Sequence, residues 1–198
     1  MERRTPVPVL PELEFGERSS VTDERLRQLI LYVSSCCGEA PMFGATKLNK
    51  ILYHADFLAF AKSGRSITGA QYMRQRNVPV PRHLVPVRDK MLANRDIAIR
   101  PGNSYSPGKT EQRVVPLVES DLSQFDSWQI ALVDAVIRDL WNQSGTEASD
   151  GTHGRAWKIA EANGSPIPYE AIFISDDPLT EGDIARTEEL ADRYGWYA

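Results

Sequence analysis

Residues 46–62, TKLNKILYHADFLAFAK, constrain the fold more than any other stretch of the chain. Leu48, Ile51, Leu52, Ala55 and Ala59 recur at helical spacing and make one stripe. Phe57 and Phe60 carry the apolar surface beyond that stripe. A helix this broadly apolar belongs at the centre of a core rather than laid along its outside. Lys47, Asn49, Lys50, Tyr53 and Asp56 supply its polar positions, and Ser63-Gly64 stops it.

The flanking segments read as further helices. Thr22-Asp23-Glu24 marks a helix start, with Leu26, Leu29, Ile30 and Val33 on one face and Gly38 and Pro41 beyond its end. A helix from about Pro81 to Asn94 buries Leu84, Val87, Met91 and Leu92, with Pro86 tolerated in its first turn. Ser123-Gln124-Phe125-Asp126 has capping-box spacing and opens a helix to about Asn142. A short helix around Trp157 and a last helix from Thr180 to Tyr194 follow. Residues 97–100 and 113–117 form a hairpin with a long loop. Residues 64–82, rich in Gly and Pro, form a loop anchored by Ile67 and Tyr72, and Gly164 to Pro168 a turn. The fold class is mainly α: a compact bundle of five to seven helices with one small β-hairpin. Residues 1–20, with three prolines, form a poorly ordered leader, and 21–198 a single domain.

Composition narrows the function classes. With 198 residues the chain is long enough for an independent core. It contains no apolar run long enough to cross a membrane and no signal-peptide pattern, which makes the cytoplasm the default. Cys36 and Cys37 are adjacent, so they form no disulfide framework, and without nearby histidines they make a poor zinc site. The net charge of −4 is unevenly spread. Residues 62–115 hold 11 basic and 3 acidic side chains, and 116–198 hold 5 basic and 16 acidic. Either the two parts neutralise each other on folding, or the basic stretch faces an acidic partner.

Catalytic signatures are missing: there is no phosphate loop, G-x-G-x-x-G, G-x-S-x-G or H-E-x-x-H. His54 and Asp56 are two apart and point in different directions on a helix, which argues against shared ligation with His153. No metal, cofactor or catalytic residue is expected, and the chain reads as a non-enzyme. Asp56 stands out. A carboxylate among Tyr53, Phe57 and Phe60 is costly to bury alone, so it calls for Arg65, Arg74 or the backbone N–H groups of the following loop. The alternative is a polar hot spot that a partner satisfies. The tryptophans read as packing residues, and Arg74-Gln75-Arg76 as a cationic loop beside Tyr72.

The run Lys47 to Phe57, KLNKILYHADF, followed by Gly64 to Tyr72, GRSITGAQY, resembles the opening of the Panacea domain, the SocA-like antitoxin family known as a phage-associated domain of unknown function. Weaker matches lie at Ser149 to Trp157 and at Ile167-Pro168-Tyr169-Glu170, and the resemblance covers roughly residues 22–175. One departure is that Val78-Pro79 stands where the family has Gly-Pro, which a glycine-like positive φ would not allow cheaply. The resemblance implies a helical module that neutralises a cognate toxin, a neighbouring gene product, by direct contact, with one branch delivering its toxin to a protease. It implies partner-binding or loop-organising roles for Lys47, Lys50, Tyr53, Asp56, Arg65, Gly69, Tyr72, Arg74, Arg76, Pro79, Pro81 and Trp157. Whether the chain forms a homo-oligomer stays open. The competing readings are a nucleic-acid-binding regulator using the basic 62–115 segment, which is disfavoured, and an uncatalogued enzyme.

Overall fold

A computed structural model describes residues 20–102, 111–143, 160, 162–174 and 180–194. The chain divides into two compact units. Of the described residues, 20–174 belong to one and 180–194 to the other.

The larger unit opens with α1 (Ser20–Cys36) and α2 (Ala45–Ser63), followed by the two-residue strands β1 (Tyr72–Met73) and β2 (Val80–Pro81). Next come α3 (Leu84–Ala93), β3 (Ile97–Gly102), β4 (Glu111–Pro116) and α4 (Ser127–Leu140), and then β5 (Pro166–Ile167) with a 3-10 turn, Tyr169–Phe173. In the smaller unit the described element is α5 (Glu181–Tyr194), held locally by the Thr180–Asp183 cap and by Glu189 between Arg186 and Arg193. The fold is mainly α, with five α-helices among the described residues and small antiparallel sheets.

α2 is buried on both sides, as its sequence demands. One side carries Leu48, Ile51, Leu52, Ala55 and Ala59 into a core shared with Leu26, Leu29, Ile30 and Val33 of α1, Val87 and Met91 of α3, and Val133, Val136 and Ile137 of α4. Tyr53 and Phe57 enter a second, smaller core with Ala70, Tyr72, Ile167 and Ala171. A fully buried Leu or Ile is worth about 2 kcal/mol of transfer free energy, so these stripes dominate what holds the unit together. Gly64 ends α2 in the left-handed region at φ +73, and its N–H donates to the Phe60 carbonyl at 2.7 Å. Only glycine adopts that backbone without a steric cost.

Several expectations need correction. α1 is already helical at Ser20, so Thr22 lies in its first turn rather than at its cap. Leu92 of α3 is exposed and does not join Val87 and Met91. α4 is capped by Asp126, not Ser123. Asp126 and Gln129 make the reciprocal capping box, while the Ser123 N–H donates to the Asp121 carboxylate at 2.9 Å. The sequence offers two overlapping boxes, and the second is the one whose partner is a Gln at N3. Beside the expected β3–β4 hairpin there is a second sheet, in the order β2-β1-β5. Tyr72 faces Pro81 on one side and Ile167 on the other. The 64–82 loop and the Gly164–Pro168 turn therefore each contribute strand. Val78 has a negative φ and is buried, so it meets its position without strain. The proline after it likewise disfavours the positive-φ geometry of a glycine turn. The expected helix around Trp157 and the loop between β3 and β4 lie outside the described residues.

Candidate partner-binding surface

The loop after α2 is built downward from one carboxylate. Asp56 sits on the side of α2 that faces the returning chain and is fully buried. Its Oδ1 accepts the Thr68 backbone N–H at 2.7 Å. Its Oδ2 accepts the hydroxyls of Thr68 at 2.5 Å and Tyr72 at 2.8 Å. The Thr68 hydroxyl in turn accepts the Ala70 N–H at 3.1 Å, and Tyr169 donates to the Ala70 carbonyl at 2.6 Å. From the other direction, the Arg25 guanidinium reaches the Ile67 carbonyl at 2.7 Å and also the Gln124 carbonyl, so α1 ties this loop to the entry of α4.

Aromatic rings close over the carboxylate. Tyr53 and Phe57 each lie 5.6 Å from Tyr72 in edge-on geometry, and Phe57 lies 4.7 Å from Tyr169. Burial raises the Asp56 carboxyl above its usual range, and the hydrogen bonds from Thr68 and Tyr72 pull it part of the way back. Tyr72 is pushed well up by burial and by the carboxylate beside it, and Tyr53 by burial to about 12. His54, on a neighbouring face of α2, is pushed down to about 4 by burial and then by the adjacent Lys50 ammonium. Gly69 adopts φ +76, and a Cβ there would meet the Thr22 hydroxyl at 3.3 Å, so the loop packs closely on α1.

Of the candidate residues, the structure brings together Tyr53, Asp56 and Tyr72, with Gly69 in the same loop and Pro79 and Pro81 buried beside it. Asp56 is satisfied by the loop backbone and hydroxyls rather than by Arg65 or Arg74. Arg74 instead donates to the Ala160 carbonyl. Lys47 lies elsewhere. Its buried ammonium donates to the carbonyls of Pro41 at 3.1 Å and Trp141 at 2.6 Å, at the C-terminal end of α4. Lys50 is fully buried. Arg65 and Arg76 are exposed, and Trp157 lies outside the described residues.

Three participants were not assigned a role from sequence. Thr68 sits inside the I-T-G stretch, whose hydroxyl was the available signal. Tyr169 sits inside the Ile-Pro-Tyr-Glu block. For Arg25 the sequence carries no signal, because a half-buried arginine on an amphipathic helix looks like any solvated one. A separate cavity of about 280 Å³ opens between α1 and α3, lined by Asp23, Glu24, Arg27 and Lys90 among others, and none of the candidate residues reaches it. Among the described residues, no group of three or more His, Cys, Asp or Glu could hold a metal ion, and no helix is long and apolar enough to cross a membrane.

The family model of the antitoxin SocA-like, Panacea domain matches residues 48–158, more than half of the chain. The chain belongs to that family. The matched segment begins on α2 and takes in the whole Asp56 loop, β2 and α4. Lys47 lies one residue ahead of it, and the Ile167–Glu170 block, which supplies Tyr169 and β5, lies beyond it. The match is thus shorter than the 22–175 span over which the sequence resembles the family. No curated protein and no solved structure matches the chain.

Proposed function

We propose that this chain is the antitoxin of a toxin–antitoxin pair and neutralises its cognate toxin, the product of a neighbouring gene, by direct contact in the cytoplasm. The observation that carries this reading is the Panacea-domain match over residues 48–158. The geometry supports it in one further respect. Asp56, Tyr72 and Tyr169 have their hydrogen bonds engaged in shaping a loop. That arrangement suits a binding scaffold that makes and breaks no covalent bonds. The finer form of the proposal is an adaptor that delivers the toxin to a protease.

Co-expression tests it. The adjacent gene product should arrest growth alone, and the arrest should be relieved when this chain is present and co-purifies with it. A steady-state toxin level that falls on co-expression marks the adaptor form, and an unchanged level marks sequestration. Persistent arrest with the chain folded and abundant, and no co-purification, overturns the proposal.

A further inference from the structure

Residues 57–88 contain no Asp or Glu and six Lys or Arg: Lys62, Arg65, Arg74, Arg76, Arg82 and Arg88. The acid that lies just ahead of this stretch, Asp56, is fully buried beneath the loop. Arg88 pairs with Asp89, Lys62 lies 5.5 Å from the centroid of the Trp128 ring, and Arg74 is turned inward onto the Ala160 carbonyl. The remaining three are exposed. Arg65 follows directly on α2. Arg82 stands at the base of the β1–β2 hairpin, where its N–H meets the Gln71 carbonyl at 2.7 Å and its guanidinium the Gln71 side chain at 2.9 Å. Arg76 lies in the turn that joins the two strands. None of the three forms an ion pair with a described residue of the same unit.

The support is held on both sides of β1. Asp56, Tyr169 and Arg25 fix the backbone of residues 67–70, between Arg65 and β1, and β1 itself pairs with β5, so the arginines are carried on a preorganised support. From these observations we infer that Arg65, Arg76 and Arg82 form the surface that grips the toxin, and that the toxin presents an acidic face to it. This rests on the antitoxin reading above and specifies the chemistry of its contact. Arginine forks pair bidentately with carboxylates, and a rim of such charges steers encounter and sets specificity. A nucleic acid fits less well. The region's Tyr53, Phe57 and Tyr72 are buried and offer no ring for base stacking, and the chain as a whole is net negative at −4.

The test uses the full chain and the purified adjacent gene product. The triple variant Arg65→Glu, Arg76→Glu, Arg82→Glu changes exposed side chains, so its melting temperature should stay near that of the parent. Its affinity for the toxin should fall roughly tenfold or more, and Arg→Lys at the same three positions, which keeps the charge but not the fork, should lose less. Parent affinity should also weaken as salt rises, and the triple variant should lose that dependence. If the parent neutralises the toxin and the triple variant does so equally, the surface is misassigned while the antitoxin reading stands. If the parent itself does not bind the toxin, both fall. If the triple variant loses binding to duplex DNA or RNA but keeps the toxin, the surface serves nucleic acid and the inference is overturned.

Discussion

Asp56 is held by neutral donors: the backbone N–H groups of Thr68 and Ile67 and the hydroxyls of Thr68 and Tyr72. Removing the carboxylate leaves those donors unsatisfied in a buried site, so Asp56→Ala should cost about 3–5 kcal/mol in denaturant unfolding. Asp56→Asn should cost less, since its carbonyl still accepts the Thr68 N–H, the hydroxyls can turn to accept, and no charge is buried. Tyr72→Phe, which removes one donor, should cost about 1 kcal/mol. Equal losses for Ala and Asn would contradict this account. His54 gives a pH-dependent counterpart. Its folded pKa, about 4, lies below the ordinary 6.5, so between those values the unfolded chain binds a proton that the folded chain refuses. Stability should therefore fall as pH drops from 6.5 to 4 and the His54 contribution should level off below that, by at most about 3 kcal/mol. The difference between the unfolding curves of the parent and His54→Gln isolates this part, and a difference that does not change with pH would contradict it. Asp56 was legible in the sequence as a carboxylate among aromatics that needed the following loop. Which donors would arrive was not, because a hydroxyl such as that of Thr68 looks the same whether it faces water or a buried acid.

At the scale of elements, legibility followed length and periodicity. The seventeen residues of α1 and the nineteen of α2 repeat their apolar spacing often enough to fix both helix and face. β1, β2 and β5 are two residues each, too short for any alternation to register, and proline in β2 and β5 reads as a turn signal. That sheet exists because Tyr72 is drawn into the small core by Asp56, Phe57 and Tyr169, a tertiary cause invisible to local pattern. The start of α4 shows the same limit at finer grain. Asp126→Ala should cost about 1 kcal/mol, whereas Ser123→Ala should change stability by only a few tenths, measured by thermal or urea unfolding. The reverse order would return the cap to Ser123.

For the whole molecule, charge is the feature that the sequence raised and left with two outcomes. Among the described residues of the larger unit, no ion pair joins a cation of the basic 62–115 stretch to an acid of residues 116–174. Arg113 donates to the carbonyls of Cys37 and Ala40, and Arg82 to Gln71. Arg76 and Arg82 at the hairpin are exposed, as an acidic partner requires, and the buried Asp56 beneath the loop shapes the support instead of cancelling it. On the antitoxin function proposed above, the chain would act by occupancy: each toxin molecule would stay neutralised only while a copy of this chain sits on it. The most direct measurement is a titration of purified toxin with purified chain, read as residual toxin activity. The account predicts a linear fall to a break at a fixed molar ratio, unchanged by longer incubation. Neutralisation of a large molar excess of toxin by a trace of the chain, progressing with time, would show turnover and contradict it.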